Sequence, residues 1–176
     1  MALSENAKKI LNTIDSFSGE IIDFGNKILK MPELGYKEFK TSSAVCEKFE
    51  ELSVAYEKGT AITGVRGKIG NGKGVHICII GEMDAVVCPG HKNACVSDGA
   101  AHACGHNEQL AAMIGSAYGL AKSGVLAGYD CTISFFATPA EEYIDLEYRR
   151  ELLKEGKIRF FGAEAAKMIY NAIKGN

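Results

Sequence analysis

The stretch Val75-His76-Ile77-Cys78-Ile79-Ile80 decides the fold class, because it is a nearly continuous apolar run that leads directly into acidic residues. Such runs are typical of a β-strand covered on both faces, and we interpret His76 within it as a core or edge residue rather than a ligand. The next loop, Gly81-Glu82-Met83-Asp84-Ala85, places two carboxylates at the strand's end. Carboxylates beside a buried strand are costly unless they are paired or functional, so Glu82 and Asp84 are candidate site residues.

The same pattern returns later in the chain. Residues 129–137 form a second predicted inner strand, which leads into the charged loop Thr138-Pro139-Ala140-Glu141-Glu142. Strands that alternate with helices predict an α/β fold, here a three-layer αβα sandwich around a central sheet. The turn signal Asn71-Gly72-Lys73-Gly74 predicts a hairpin between strands over 62–69 and 75–80, which makes the sheet mixed.

Helices are predicted wherever apolar residues recur at helical spacing. Gly19 and Gly25 divide the first of these segments into one broken helix or two, and Asn107 is the predicted N-cap of the third. The 176 residues suffice for one domain with a core, and the chain has no internal repeat. The predicted helical segments are 4–31, 36–52, 108–122 and 145–155, followed by a short segment over 158–161 and a closing helix over 163–173.

Composition narrows the class of partner. A net charge of -2 and a pI near 6.1 give no reason to expect nucleic acid or an anionic membrane as partner. No apolar run reaches the ~18 residues of a membrane span, and the N-terminus does not resemble a signal peptide. The six cysteines are scattered rather than framed as disulfide pairs. We therefore expect reduced thiols and a cytoplasmic location.

Between the two acidic loops lies Ala101-His102-Ala103-Cys104-Gly105-His106-Asn107, which packs a thiol and two imidazoles into five positions. A thiolate and an imidazole two residues apart suit zinc, manganese, cobalt or nickel. The alternative is a buried cysteine and a hydrogen-bonded histidine in a loop. A separate zinc knuckle built from Cys88, His91 and Cys95 fits poorly, since the spacings are unusual and a fourth ligand is missing.

The three reactive loops follow one topological rule. In open α/β sheets, ligands bind beyond the carboxyl ends of the strands, where residues 82–84, 102–107 and 141–142 are expected to meet. These residue types favour a metal-assisted hydrolase. A thiol-nucleophile or redox enzyme that uses Cys104 with His106, and a non-catalytic binding or structural domain, remain open at this point.

The loops together resemble the amidohydrolase branch of the two-metal aminoacylase/carboxypeptidase family, metallopeptidase family 20. Glu82 and Asn107 place the chain nearest the aminobenzoyl-glutamate hydrolase and dipeptidase-like sub-branch, since the commoner amidohydrolases carry Asp at both positions. The motifs that carry the resemblance are Met31-Pro32-Glu33-Leu34-Gly35 with Glu38 and Thr41, Gly81 to Ala85, Ala101 to Asn107, and Thr138 to Glu142.

The resemblance implies a role for each matching residue. Cys104 would bridge two divalent ions, while His106 would ligate one ion and Glu142 the other. Glu141 would be the general base that takes a proton from the metal-bound water, and Asp84 would orient a ligand or tune the base. The substrate would be a small N-acyl or aminoacyl amino acid. Three residues would support the site: Glu82, His102 and Asn107.

The chain also departs from the family pattern. The family takes further histidine ligands after the glutamate pair, whereas the last of the four histidines here is His106. It also inserts a lid domain that usually forms the dimer, so a homodimer is possible but lacks its usual element. Residues 1–176 are thus expected to form a single, incomplete catalytic domain with weak or absent metal and little activity alone. The alternative is a non-catalytic remnant of the family.

Overall fold

The computed structural model describes residues 3–159. Part of the predicted segment 158–161 and all of the predicted helix 163–173 lie outside this range. The helices are α1 Glu5–Ser16, α2 Ser18–Leu29, α3 Phe39–Glu51, α4 His106–Lys122 and α5 Leu146–Lys154, with a 3-10 turn over Val125–Gly128. The strands are β1 Ala55–Thr60, β2 Gly64–Gly70, β3 Val75–Glu82, β4 Val86–Val87, β5 Ala100–Ala101 and β6 Cys131–Thr138.

Four strands form the main sheet, in the order β1-β2-β6-β3. β2 runs antiparallel to β1 and β6, whereas β3 runs parallel to β6. The predicted α/β class and mixed sheet are therefore confirmed. β4 and β5 form a separate two-stranded sheet in the loop before α4.

The predicted hairpin at residues 71–74 is wrong, because β6 lies between β2 and β3. The backbone N–H of Asn71 donates to the carbonyl of Cys131 at 3.1 Å, so this turn pairs with the start of β6. The actual hairpin joins β1 to β2 and turns at Ala61 and Ile62, both with positive φ. Neither residue type favours that conformation, so their residue types do not signal the turn between β1 and β2.

The two predicted inner strands differ in burial. Seven consecutive residues of β6, from Thr132 to Thr138, are buried, as expected. β3 is instead an edge strand of the described sheet, with Val75, Ile77 and Ile80 exposed by 65%, 48% and 41%. The prediction that β3 is covered on both faces is therefore wrong for this part of the chain.

The core lies between the main sheet and helices α2, α3 and α4. Phe49 of α3 packs on Phe135 of β6 with 6.0 Å between ring centroids. Gly67 of β2 leaves room for the Phe49 ring, since a Cβ there would lie 2.8 Å from it. α4 packs against β3 on one side and against α1 and α2 on the other, which explains why most of its residues are buried.

The first predicted segment is two helices, α1 and α2, which meet at Phe17. All six cysteines are free thiols. Within the described residues, no helix combines the length and the apolar content that crossing a bilayer requires.

Candidate metal centre

The candidate site lies where the carboxyl ends of β3 and β6 meet. These strands are parallel neighbours, and Glu82 at the end of β3 pairs in register with Thr138 at the end of β6. The strand ends carry Asp84 and the Glu141-Glu142 pair into the same space. The N-terminus of α4 then adds His106, so the three predicted loops do converge.

α4 begins earlier than the sequence predicts. Its N-cap is Gly105, with a φ of 91° that favours glycine. The predicted cap, Asn107, is instead a buried residue of the first turn. This correction matters because it makes His106 the first residue of the helix, where the helix dipole is positive and favours neighbouring anions.

His106 is the centre of the cluster. Its side chain is 1% exposed, and Nε2 lies 3.0 Å from Glu82 Oε2, 3.8 Å from Glu142 Oε1 and 3.9 Å from Glu141 Oε2. Three carboxylates therefore face a single ring nitrogen. The predicted metal ligands and the predicted base lie around it.

Asp84 holds the opposite side of the ring. Its backbone carbonyl accepts a hydrogen bond from His106 Nδ1 at 2.8 Å, and because a carbonyl only accepts, Nδ1 carries a proton. In the neutral imidazole this leaves Nε2 free to bind a metal. The buried Asp84 carboxylate also accepts the backbone N–H of Glu142 at 2.9 Å. Asp84 thus orients both a candidate ligand ring and the loop that carries another.

The charges around His106 determine its pKa. Burial alone would lower the pKa of the imidazole, but the hydrogen bonds to Asp84 and the negative charges of Asp84 and Glu82 outweigh it and raise the pKa to about 9. Without a metal, His106 is therefore a cation at neutral pH. A divalent ion would replace that proton among the same carboxylates.

Glu141 and Cys104 also have shifted pKa values. Burial, with the negative charges of Glu82, Glu142 and Asp84, raises the pKa of Glu141. The pKa of the Cys104 thiol is also raised, chiefly by a hydrogen bond to Glu142 and secondly by burial. A raised pKa suits Glu141 to accept a proton. It weighs against Cys104 as an activated nucleophile, which needs a lowered pKa.

The donor atoms of Cys104, His106 and Glu142 all lie within 4.8 Å of one another, as do those of Glu82, His106 and Glu141. Ligands bound at 2.0 to 2.3 Å on opposite sides of one ion lie up to roughly 4.6 Å apart, so both sets fit a divalent ion after small side-chain adjustments. A cation would also neutralise the crowded carboxylates. No other such cluster exists within residues 3–159, and Cys88, His91 and Cys95 do not form one.

Two of the predicted supporting residues, Glu82 and His102, lie close to this cluster. Glu82 is held by Gln109 of α4, whose side-chain amide donates to Glu82 Oε2 at 2.9 Å. His102 is buried with no hydrogen-bond partner at either ring nitrogen, and burial together with the charge of His106 lowers its pKa to about 4. Sequence reasoning missed Gln109, although it lies three residues after His106 on the same helix face.

Comparison with known proteins finds relatives among carboxypeptidases and amino acid hydrolases. The chain is 33% identical over 156 residues to thermostable carboxypeptidase 2 of Saccharolobus solfataricus, with 85% of this chain and 39% of that protein covered. It is 32% identical over 108 residues to IAA-amino acid hydrolase ILR1-like 4 of Arabidopsis thaliana, with 58% and 24% covered. No protein-family profile matches the chain.

Solved structures share the fold. The YxeP protein of Bacillus subtilis, described as a dinuclear metal-binding peptidase, superposes with a TM-score of 0.64 at 28% identity over 81% of this chain and 40% of that one. The aminobenzoyl-glutamate utilization protein of Klebsiella pneumoniae superposes with a TM-score of 0.58 over 76% and 39%. Its 16% identity shows the fold alone.

Fold and relatives together point to a family of metal-dependent hydrolases with an α/β fold. The chain belongs to the amidohydrolase branch of metallopeptidase family 20. It spans about 39% of the length of the Saccharolobus carboxypeptidases that it matches.

Proposed function

We propose that this chain supplies the metal site of an amidohydrolase that cleaves the amide bond of small N-acyl or aminoacyl amino acids. The observation that carries the proposal is the convergence of donor atoms from Cys104, His106 and Glu142. Glu141 lies beside them with its side chain 45% exposed. A bound ion and an unligated carboxylate open to solvent are the two elements that metal-assisted amide hydrolysis requires.

Each residue then has a role that follows from its position. Cys104, His106 and Glu142 would hold the divalent ions. The ions would lower the pKa of water and polarise the amide carbonyl. Glu141, with its raised pKa, accepts the proton of the attacking water and passes it to the leaving amine. Asp84 and Glu82 would hold these groups in place, and His102 and Asn107 would support the site.

This chain alone has few side chains for two ions. With Glu141 free as the base and Glu82 held by Gln109, Cys104, His106 and Glu142 are three ligand side chains, fewer than two ions require. None of the four histidines follows His106. We therefore propose that residues 1–176 form one incomplete catalytic domain that binds metal weakly and gives little or no hydrolysis alone. Free thiols at all six cysteines fit a cytoplasmic location, where thiols stay reduced.

The test uses a chimaera in which this chain replaces the matching part of thermostable carboxypeptidase 2. Release of free amino acid from acylated amino acids and dipeptides should appear in the chimaera, be lost with Glu141→Gln, and be weak or absent in the 176-residue chain alone. A folded chimaera that is inactive would instead support a non-catalytic remnant. Two-metal binding with turnover by the chain alone would contradict the proposed incompleteness.

A further inference from the structure

The loop that carries Glu141 and Glu142 has no regular secondary structure of its own. It follows β6 and precedes α5, and its residue Ala140 has a positive φ of 54°. A non-glycine residue in that conformation needs support from its surroundings. Two buried charged side chains outside the candidate site supply it.

Glu38 supports the loop through its backbone N–H. The Glu38 carboxyl is fully buried, and Oε1 accepts the N–H of Ala140 at 2.8 Å. Oε2 accepts the hydroxyl of Thr63 at 2.6 Å. Glu38 therefore joins the loop to Thr63, the residue before β2 of the main sheet.

Arg149 of α5 supports the same loop through its carbonyls. Its Nη1 donates to the carbonyl of Ala140 at 3.3 Å, and its Nη2 donates to the carbonyl of Glu142. The side chain is 1% exposed, and its guanidinium lies over the Tyr36 ring at 5.4 Å. Both carbonyls that flank Glu141 are thus bound by one planar group, which a lysine could not reproduce.

Gly35 allows the segment before α3 to lie close to Arg149 and Ala140. A Cβ at Gly35 would lie 2.8 Å from Arg149 Nη2 and 3.0 Å from Ala140 Cα. Nearby, Lys37 pairs with Asp145 at the start of α5 at 2.7 Å. The segment 35–38 therefore packs closely against both the loop and Arg149.

We propose that Glu38 and Arg149 are positioning residues that clamp the backbone from Ala140 to Glu142, so that the side chains of Glu141 and Glu142 face His106. This inference rests on the proposed metal site. A buried arginine and a buried carboxyl each cost free energy, and here both form hydrogen bonds to the backbone of the same short loop. The clamp explains how an irregular loop can hold two adjacent glutamates in separate roles.

The experiment measures Co²⁺ binding and backbone exchange in the 176-residue chain. Arg149→Lys keeps the charge but loses the fork, and Arg150→Lys makes the same change at the exposed neighbouring position. Glu38→Leu removes the acceptor, and Glu38→Gln keeps it. The cobalt d–d bands report ligand geometry, and amide hydrogen exchange reports the protection of the Ala140 and Glu142 N–H groups.

We expect Arg149→Lys and Glu38→Leu to weaken Co²⁺ binding about ten-fold, to alter the d–d bands and to speed amide exchange at 140 and 142. Arg150→Lys and Glu38→Gln should match the parent chain. Folded Arg149→Lys and Glu38→Leu chains with parental affinity, spectrum and protection would overturn the clamp. If the parent chain binds no Co²⁺, the proposed metal site fails, and the exchange rates alone still decide the clamp: faster exchange supports it and unchanged exchange overturns it.

Discussion

At the scale of single residues, the site depends on how His106 is held. Asp84 accepts its Nδ1 proton through the backbone carbonyl and anchors the Glu142 amide through its carboxylate. One buried residue thus positions two candidate ligands without being a ligand. Residues in such positions tune affinity nearly as strongly as the ligands do.

Asp84→Asn should therefore weaken metal binding although it touches no ion. The substitution keeps the shape and the backbone carbonyl but removes the charge that faces His106 Nδ1 at 3.4 Å. We expect a 10–100-fold loss of Zn²⁺ affinity, measured by competition with a chelator. Asp23→Asn, on the exposed surface of α2, is the matched control. Equal affinities in the two variants would rule out this role for Asp84.

Glu38 predicts a pH dependence of stability in the metal-free chain. Burial, opposed in part by hydrogen bonds, raises its pKa from 4.5 to about 7. A raised folded-state pKa means that the folded chain binds the proton more tightly than the unfolded chain. This stabilisation is complete below pH 4.5 and is lost as the pH rises through about 7.

The loss should amount to roughly 3 kcal/mol of unfolding free energy. It is measured by urea unfolding between pH 4.5 and 8 with a chelator present. Glu38→Gln cannot titrate, so the difference between the parent chain and this variant should change across that range. Parallel curves for the two proteins would show that Glu38 does not carry the effect.

The sequence predicts those site residues that lie close together along the chain. Cys104 and His106 are two positions apart in one loop, and Glu141 and Glu142 are adjacent after an apolar strand. Glu38 and Arg149 could not be assigned roles in the same way, because their partners lie 102 and 9 residues away. Arg149 on an amphipathic helix has the pattern of a solvent-facing residue, and only the fold reveals that it is buried.

At the scale of elements, the strands were predicted better than their pairing. The ranges of β3 and β6 follow from apolar runs and that of β2 from alternating residues, but β6 lies between β2 and β3. A turn signal such as Asn71-Gly72 indicates where the chain bends and carries no information about which strand pairs beside it. Pairing is decided by long-range contacts, here by the buried strand β6.

Gly35→Ala should destabilise the chain because Arg149 and Ala140 leave no space for a Cβ at this position. We expect a loss of about 1–3 kcal/mol in urea unfolding. Gly19→Ala is the control, since a Cβ there meets nothing within 4 Å and helix α2 should gain up to about 1 kcal/mol from alanine. A Gly35→Ala chain as stable as the parent would contradict the close approach.

At the scale of the whole molecule, the sheet ends at a strand with an apolar sequence. The pattern of β3 indicates an inner strand, yet Ile77 and Ile80 are exposed on the edge of the described sheet. An exposed apolar edge strand offers unpaired backbone groups to other chains. The sequence of β3 thus fits a more extensive sheet than the described residues form.

This edge predicts self-association. The chain should show concentration-dependent dimers or larger species in sedimentation velocity, and Ile77→Lys should reduce them, since lysine protects sheet edges. Lys68→Arg, on the interior strand β2, keeps its charge and should leave association unchanged. A parent chain that stays monomeric at high concentration would contradict the prediction.

The most direct test of the account is the zinc X-ray absorption spectrum of the 176-residue chain at millimolar concentration. We predict one sulfur ligand at about 2.3 Å together with nitrogen and oxygen ligands at about 2.0–2.1 Å. The sulfur contribution should disappear in Cys104→Ser and persist in Cys131→Ser, because Cys131 lies at the opposite end of β6. A zinc-loaded chain without a sulfur ligand, or one that keeps it in Cys104→Ser, would contradict a metal centre built on Cys104.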